Sequence, residues 1–435
     1  MRFVSTRGGA PDADLAQALA TALAPDGGLY LPATLPRIDL ATLAAVSTPA
    51  AVCAALLRPF FAGSALAADL PALCDSAFAQ PLPLRRLHGE ADFVLELFHG
   101  PTAAFKDIGA RFLAAALQRL RTPAAQPLAI LVATSGDTGA AVAAAFHRRA
   151  GFRVVILYPA HGVSPRQAHQ LGAFTDNVLA LRVAGSFDDC QRMVKAMLAD
   201  TALRAQVPLG SANSISLGRL LPQVGYYAWA ALTYWREHGT ALSFIVPTGN
   251  LGNALAGVIA RRMGLPIGRI VLACNANDTL PRYFAGEPYA TRPSRRTLAN
   301  AMDVGAPSNF ERLRALYADD AALRADLDAH AVVDSEIRAT LRAAPSRHGL
   351  LPCPHTATAL HVLQCLRAAG DTRPFAIVAT AHAAKFAEVV EPEFGQAMDI
   401  PAPLAALLAG PSHSEALAAT DEALRARLRH WQCAD

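Results

Sequence analysis

Short apolar runs alternate with stretches of helical periodicity between residues 126 and 205. Residues 128–132, 152–157 and 178–183 are apolar runs of strand length, rich in Val, Ile and Leu. Each run is followed by a stretch in which apolar residues recur at helical spacing. Because strands that alternate with helices form parallel sheets covered by helices, this pattern predicts a compact α/β domain at residues 126–205.

A second alternation predicts a larger α/β domain that is built from residues 86–125 and 206–435. A late strand in this series is expected to return to the larger sheet. The expected elements are a strand at 92–97, a long helix at 217–235, a strand at 242–246, a helix ending at Met263, and strands at 269–274 and 375–378.

Three other segments have different patterns. Residues 1–85 are rich in Ala, Leu and Pro, and they predict a small helical N-terminal unit. Residues 281–310 are rich in Arg, Pro and Ser, which predicts a loop that makes an excursion from the domain. Residues 319–342 are charged and predict a solvent-exposed helix.

Lys106 lies where a strand and a turn lead into a helix. His-Gly-Pro-Thr at residues 99–102 is turn chemistry, and Phe105, Ile108 and Phe112 begin a helical periodicity. Lys106 is the only lysine among the first 194 residues. A partly buried lysine can lose its proton and act as a nucleophile, whereas arginine cannot. The alternative is a solvated residue in the first turn of the helix.

Three further loops carry candidate binding chemistry. Residues 247–253 (Pro-Thr-Gly-Asn-Leu-Gly-Asn) join a strand to a helix, where backbone N–H groups and the helix dipole favour an anion. The loop matches neither nucleotide-binding glycine motif, and a plain turn is the alternative. Residues 134–139 (Thr-Ser-Gly-Asp-Thr-Gly) suit a carboxylate; the alternative is an ordinary N-cap formed by Asp137 or Thr138. Residues 213–219 open the long helix. The alternative to a binding role is that Ser214 only caps this helix and Arg219 lies on the surface.

Composition narrows the class of protein. The chain of 435 residues is too long for one core, and 53% hydrophobic with 17% charged residues describes a soluble globular enzyme. A net charge of +4 from 39 basic and 35 acidic residues does not suggest nucleic-acid binding. Seven cysteines without a C-x-x-C pair suggest neither disulfides nor structural zinc. Without a signal-peptide core or an apolar run of ~20 residues, no membrane partner and a cytoplasmic location are expected.

The segment Glu-Leu-Phe-His-Gly-Pro-Thr-Ala-Ala-Phe-Lys-Asp-Ile-Gly-Ala-Arg-Phe, at residues 96–112, resembles the pyridoxal-phosphate lysine segment of threonine synthases. The resemblance begins at residues 5–9 and the Asp-Gly-Gly-Leu-Tyr turn at 26–30, and it recurs in blocks as far as Lys385. It implies an α/β protein of the fold-type II class of pyridoxal-phosphate enzymes. Such a protein has two parallel-sheet α/β domains, here with the small N-terminal helical unit.

The resemblance also implies residue roles. Lys106 is expected to be catalytic and to carry pyridoxal 5'-phosphate, and Thr380 is expected to hydrogen-bond the ring nitrogen. The other expected cofactor-binding residues are Asp137, Gly249, Asn250, Leu251, Gly252 and Asn253. The expected substrate-binding residues are Thr134, Ser135, Thr138, Asn213, Ser214, Arg219 and Lys385, and no metal ligand is expected.

Two positions depart from the pattern of the resembled family. Ala383 stands where a Pro usually follows the histidine, and Cys353 stands where an Asp is usual. The first departure leaves the rigidity of the loop after Thr380 open, but not the role of Thr380. His355, near Cys353, is either a residue of the site or a buried structural histidine.

The reaction that the resemblance implies is the conversion of O-phospho-L-homoserine and water to L-threonine and phosphate. Alternatives are a sister reaction, such as serine/threonine dehydratase or a cysteate-forming synthase, and a catalytically inactive cofactor-binding homologue. The sequence lacks the dinucleotide-binding glycine motif that a nicotinamide-dependent dehydrogenase would carry. The expected partner is the small-molecule substrate, with no nucleic acid, and the chain is expected to be a monomer or homodimer.

Overall fold

A computed structural model describes residues 1–43, 45–88, 92–122 and 125–432. Its strands are short, and most alternate with helices. In chain order they are β1 (Phe3–Ser5), β2 (Tyr30–Pro32), β3 (Leu84–Arg86), β4 (Phe93–Glu96), β5 (Leu128–Ala133), β6 (Phe152–Pro159), β7 (Val178–Val183), β8 (Leu209–Ser211), β9 (Leu242–Pro247), β10 (Ile267–Cys274), β11 (Leu327–Ala331), β12 (Phe375–Ala379) and β13 (Glu415–Leu417).

The helices cover both faces of the sheets. In chain order they are α1 (Leu15–Ala20), α2 (Pro49–Phe61), α3 (Leu70–Ala77), α4 (Lys106–Leu120), α5 (Asp137–Phe146), α6 (Pro165–Gly172), α7 (Phe187–Ala199), α8 (Thr201–Gln206), α9 (Leu217–Leu220), α10 (Gln223–His238), α11 (Gly252–Arg262), α12 (Thr279–Phe284), α13 (Phe310–Ala315), α14 (Asp320–Asp326), α15 (Asp334–His348), α16 (Pro354–Ala368), α17 (Ala387–Phe394), α18 (Ala402–Ala409) and α19 (Asp421–Gln432). Short 3-10 helices occupy Leu40–Leu43, Asn300–Met302 and Ala383–Phe386. Across the described ranges, no helix is long and apolar enough to cross a membrane.

The larger sheet has six strands in the order β11-β10-β9-β12-β4-β3. Its neighbours are parallel except at one edge, where β3 runs antiparallel to β4. Strand β12 lies between β9 and β4, which confirms that the late strand returns to this sheet. Both β9 and β12 are buried along their whole length, as expected of parallel strands that are covered on both faces.

The smaller sheet has five parallel strands in the order β13-β7-β6-β5-β8. The three strands predicted between residues 126 and 205 are confirmed as β5, β6 and β7. The edge strands β8 and β13 escape prediction because three residues are too few to show a periodicity. Strand β13 places the C-terminal segment on this sheet, whereas the sequence assigns all of residues 206–435 to the larger domain. The boundaries near residues 86, 126 and 206 remain predictions.

The N-terminal unit is not purely helical. Strands β1 and β2 form an antiparallel pair beside helices α1 to α3. Helix α2 packs against α10, so this unit covers one side of the larger domain. Residues Phe60 and Phe61 of α2 are buried and join the core that also contains β9 and β10.

Two predicted helices are divided in the structure. Residues 217–235 form α9 and α10, because Pro222 lies between them and cannot donate a backbone hydrogen bond. The prediction of one helix at residues 319–342 is wrong, because β11 separates α14 from α15. Strand β11 pairs with β10 in parallel register, and this tertiary pairing overrides the local preference of its Ala-rich sequence for helix.

Candidate active site

The segment that carries Lys106 is held by contacts within its own turn. Asp107 is buried, and its carboxylate accepts hydrogen bonds from the backbone N–H (2.9 Å) and the hydroxyl (2.6 Å) of Thr102. The N–H of Phe105 donates to the carbonyl of Thr380 (2.9 Å), which ties the segment to the end of β12. Lys106 is therefore fixed as the first residue of α4, at the edge of the sheet where ligands bind in α/β folds.

The Lys106 amine lies in the pocket wall, near charged groups of both signs. Burial lowers the pKa of Lys106 to about 8; nearby Asp137 opposes this shift, whereas Arg219 and Lys385 add to it. Lys106 is therefore a half-buried residue of the pocket wall rather than a fully solvated one. With that pKa, roughly a tenth of the side chain carries no proton at pH 7 and about half at pH 8; this is the form that a nucleophile or general base requires.

Loop 249–253 forms a cradle at the N-terminus of α11. Gly249 lies against the backbone of Met302, since a Cβ on it would be 2.8 Å from the Cα of that residue. Leu251 supplies the left-handed residue of the loop, with φ of 64°. The side-chain oxygen of Asn253 accepts from the hydroxyls of Tyr226 (2.5 Å) and Tyr227 (2.8 Å). The loop is thus fixed in place by its neighbours.

Loop 134–139 closes the opposite side of the pocket. The Thr134 hydroxyl accepts from the N–H groups of Gly136 and Gly139, both at 3.0 Å. Residue 136 occupies the N-cap position of α5 without a side-chain cap, so the N-cap interpretation of residues 137 and 138 is wrong. Asp137 instead ion-pairs with Lys385 (2.7 Å) and accepts from Gln167 (3.0 Å). Burial alone would raise the pKa of Asp137, but Lys385, His355 and Lys106 lower it to about 2.

Segment 213–219 presents a second set of polar groups. Arg219 is only 2% exposed, so its interpretation as a surface residue is wrong. Its Nη1 donates to the carbonyl of Ala212 (2.5 Å), while its Nε and the Oδ1 of Asn213 are buried and have no hydrogen-bond partner among the described residues. Helix α4 admits this side chain because residue 109 is a glycine: a Cβ there would lie 3.0 Å from Arg219 Nε. Burial lowers the pKa of Arg219 to about 10, so it stays cationic.

Ser214 does not cap the helix that follows it. The N-cap position of α9 is occupied by Ser216, without a side-chain cap hydrogen bond. The Ser214 hydroxyl instead accepts from the Nδ2 of Asn250 (2.6 Å). Segment 213–219 and loop 249–253 are therefore joined directly by their side chains.

Fourteen of the fifteen predicted site residues line one pocket, which loops from both sheets form. They are Lys106, Thr134, Ser135, Asp137, Thr138, Asn213, Ser214, Arg219, Gly249, Asn250, Leu251, Gly252, Asn253 and Thr380. The structure does not bring Lys385 to this wall. Lys385 is fully buried, and its amine donates to the carbonyl of Thr102 (2.8 Å) while it pairs with Asp137.

Several lining residues carry no signal in the sequence. Ala301, Met302, Val304 and Ser308 belong to the predicted excursion, which folds back over the pocket. Asn275 and Asn277 hold this segment by donating to the carboxylate of Asp303, at 2.8 and 3.2 Å. Burial raises the pKa of Asp303 to about 7. Periodicity could not reveal these residues, because their place depends on side-chain contacts with distant loops.

His355 is both buried and part of the pocket. Its Nε2 accepts from the N–H of Ala301 (3.0 Å), and burial lowers its pKa to about 4. The histidine is therefore neutral near pH 7. Cys353 lies beside it with its Sγ 3.3 Å from the hydroxyl of Thr356, and burial raises the pKa of the thiol.

The loop after Thr380 is held without the usual proline. Ala383 begins a 3-10 helix, and the Nδ1 of His382 accepts from the N–H of Ala384 (3.2 Å). The N–H of His382 in turn donates to the carbonyl of Ala103 (3.1 Å). These two hydrogen bonds hold the loop to its own backbone and to the segment before Lys106.

The pocket combines one reactive amine with two separate sets of anion-binding groups. Loop 249–253 offers backbone N–H groups at the N-terminus of α11, which favours a phosphate. Segment 213–219 offers a guanidinium with one N–H that no residue of the described ranges accepts, which favours a second anion. This arrangement suits a phosphorylated cofactor bound to a lysine and a phosphorylated substrate beside it.

Three family models match the chain in succession. They are "Threonine synthase N terminus" at residues 2–78, "Pyridoxal-phosphate dependent enzyme" at residues 78–383, and "Threonine synthase, C-terminal" at residues 356–427. The threonine synthase of Haemophilus influenzae is 40% identical to this chain, covering 88% of this chain and 89% of the relative. That of Escherichia coli is 36% identical, covering 96% of each.

Solved structures agree with these relatives. The crystal structure of threonine synthase from Escherichia coli matches with a TM-score of 0.92 at 35% identity, covering 99% of this chain and 100% of the other. The crystal structure of threonine synthase with bound pyridoxal phosphate from Brucella melitensis matches with a TM-score of 0.89 at 36% identity, covering 100% of each chain.

Proposed function

Because this chain belongs to the threonine synthase family, we propose that its substrate is O-phospho-L-homoserine, which it converts with water to L-threonine and phosphate. The fold is that of fold-type II pyridoxal-phosphate enzymes, the cofactor is pyridoxal phosphate, and the activity is that of a lyase acting on a phosphate ester. The observation that supports this substrate is the second anion site around Arg219, which lies in the same pocket as Lys106 but on a different segment from loop 249–253.

The described residues fit the cofactor. Lys106 has a lowered pKa and is the residue that would carry it, and the N–H groups of Gly249 to Asn253 would hold its phosphate. Thr380 would face the ring nitrogen, and Asp137 would lie near the ring. When bound, pyridoxal phosphate supplies an electron sink for carbanion chemistry on an amino acid.

The substrate would lie between segment 213–219 and loop 134–139. Asn213, Ser214 and Arg219 would bind its phosphate, where the guanidinium supplies charge-assisted hydrogen bonds. Ser135 and Thr138, with the hydroxyl hydrogen of Thr134, would bind its carboxylate at the N-terminus of α5. The two charged ends of the substrate would thereby be held by different segments, which fixes its carbon chain beside Lys106.

Lys106 is the residue that would move protons along the carbon chain of the substrate. With a pKa of about 8, its free amine accepts and returns protons near neutral pH. His355 is neutral at that pH, so it places no positive charge beside the proton transfer. Lys385 is engaged by Asp137 and Thr102 and would hold Asp137 in place rather than touch the substrate.

Product analysis tests this function. The purified enzyme with pyridoxal phosphate is expected to release threonine and inorganic phosphate from O-phospho-L-homoserine in equal amounts. Lys106→Ala should lose both products and the absorbance band of the lysine-bound cofactor. Formation of a 2-oxo acid from serine or threonine, without turnover of phosphohomoserine, would instead support a dehydratase. Native mass determination decides between the predicted monomer and homodimer.

A further inference from the structure

The segment from Ser308 to Arg312 contacts both anion-binding loops. The Nδ2 of Asn309 donates to the carbonyl of Ser214 (3.2 Å) and to the carbonyl of Asn250 (3.0 Å). The N–H of Ser308 also donates to the side-chain oxygen of Asn250 (2.5 Å). Asn309 is fully buried and does not line the pocket. It therefore acts on the site through the two backbones that it joins.

Arg312 extends this connection to the N-terminal unit. It is fully buried, and its guanidinium donates to three acceptors on three different segments. Nη1 donates to the Oδ1 of Asn309 (2.9 Å), Nη2 to the carbonyl of Ile215 (2.7 Å) and Nε to the carbonyl of Tyr30 (3.0 Å). A planar fork with five donors can meet such a set of acceptors, whereas an ammonium cannot.

Segment 212–215 is consequently held at both ends by buried arginines. Arg219 donates to the carbonyl of Ala212 and Arg312 to that of Ile215. Neither guanidinium forms an ion pair with any carboxylate in the described part of the chain. Of the two, only Arg219 lines the adjoining pocket. Since buried charges are normally paired, its guanidinium favours an anion there, whereas the donors of Arg312 are met by protein acceptors.

We propose that Asn309 and Arg312 are positioning residues that hold segment 212–215 and loop 249–253 in one fixed arrangement. Their contacts orient the groups that bind the substrate phosphate and the cofactor phosphate without touching either ligand. This inference rests on the proposed function for the identity of the second anion. The positioning itself concerns only the geometry of the two phosphate sites.

Two complementary variants test the proposal. Asn309→Asp keeps the shape and still accepts from Arg312, but it cannot donate to the carbonyls of Ser214 and Asn250. Arg312→Lys keeps the buried charge but cannot reach three separated acceptors. We expect each variant to raise the dissociation constants for pyridoxal phosphate and for inorganic phosphate at least about tenfold, which corresponds to ~1.4 kcal/mol. The melting temperature of the apoprotein is the folding control.

Arg314→Ala is the matched control, since Arg314 lies on the same helix but is exposed and pairs with Asp320. It should leave both dissociation constants within about twofold of the parent. If Asn309→Asp weakens binding but Arg312→Lys does not, the added negative charge explains the effect and the positioning role is overturned. Unchanged constants in both variants overturn it as well.

Both constants are measured without phosphohomoserine, by titration of the apoprotein with pyridoxal phosphate and by calorimetry of the cofactor-loaded protein with phosphate. A failure of phosphohomoserine turnover would therefore reject the proposed substrate and leave this test intact. Conversely, normal turnover with unchanged constants in both variants would reject only the positioning role.

Discussion

The environment of Lys106 predicts a pH profile for cofactor capture. The neutral amine is the form that bonds to a carbonyl carbon, and burial lowers its pKa from 10.5 to about 8. Below pH about 8 the neutral fraction of Lys106, and with it the rate of cofactor capture, should fall roughly tenfold per pH unit. Above that pH the rate should level off. Stopped-flow absorbance of the apoprotein mixed with pyridoxal phosphate measures this rate. Nα-acetyllysine is the control amine, whose rate should still rise above pH 9; the same rise in the protein would contradict the profile.

Arg219 is the residue that separates the proposed substrate from one without a phosphate. Removing a charge-assisted hydrogen bond costs ~1.5–3 kcal/mol, so Arg219→Ala should lower kcat/KM for phosphohomoserine at least about tenfold. Arg219→Lys should recover part of the loss, because it keeps the charge but not the fork.

The absorbance of the lysine-bound cofactor should survive in both Arg219 variants, since its phosphate is assigned to loop 249–253. Arg204→Ala is the control, because Arg204 is exposed on α8 and lies outside the pocket lining. Equal kinetics for the parent and Arg219→Ala would mean that the substrate phosphate is bound elsewhere.

At the residue scale, the sequence predicts which residues lie at the pocket better than it predicts where their side chains point. Lys106, Arg219 and loop 249–253 follow strands or open helices, so their place at one edge follows from the parallel topology. The direction of Lys385 could not be predicted. It depends on a carbonyl at Thr102 and a carboxylate at Asp137, which are far away in the sequence and meet its amine only in the fold.

The two glycines of the cofactor loop look equivalent in the sequence but differ in the structure. A Cβ at Gly249 would lie 2.8 Å from the Cα of Met302, which is backbone and cannot turn away. At Gly252 the nearest group would be the Nδ2 of Asn309 at 3.5 Å, an ordinary contact. Neither glycine has the positive φ of the loop, which Leu251 supplies.

Gly249→Ala is therefore expected to weaken cofactor binding more than Gly252→Ala. Overpacking costs ~1–3 kcal/mol, which corresponds to a roughly 5- to 150-fold rise in the dissociation constant for pyridoxal phosphate. Gly252→Ala is the matched control and should change this constant less than about threefold. Fluorescence titration of each apoprotein measures it, and equal losses in the two variants would show that the contact with Met302 does not decide the loop geometry.

At the element scale, strongly periodic segments are predicted correctly and edge elements are not. Strands β5, β6 and β7 are buried apolar runs, so their sequence alone identifies them. Strand β11 is an edge strand with the sequence Leu-Asp-Ala-His-Ala, and only Leu327 of it is buried. Its strand conformation is stabilised by pairing with β10, which no local pattern can report.

At the scale of the whole molecule, the site lies between two sheets whose strands come from distant parts of the chain. The smaller sheet carries loop 134–139 and gains its outer strand and helix from the C-terminus, residues 415–432. Helix α19 packs against α7 through the buried residues Leu424 and Leu428. The sequence could not predict this return, because β13 has only three residues and α19 follows a long stretch assigned to the larger domain.

This arrangement predicts that α19 stabilises the smaller sheet and not the larger one. Leu424 is fully buried, and Leu→Ala substitutions in cores cost about 2–5 kcal/mol. In Leu424→Ala, hydrogen exchange should quicken for amides of β6 and β7, while amides of β9 and β10 keep the protection of the parent. Glu422→Ala, on the exposed face of the same helix, is the control and should alter neither set. Equal loss of protection in both sheets would mean that they unfold as one cooperative unit. Loss confined to β6 and β7 would mean that half of the pocket loosens independently, so that loop 134–139 can move relative to Lys106 while the cofactor loop stays in place.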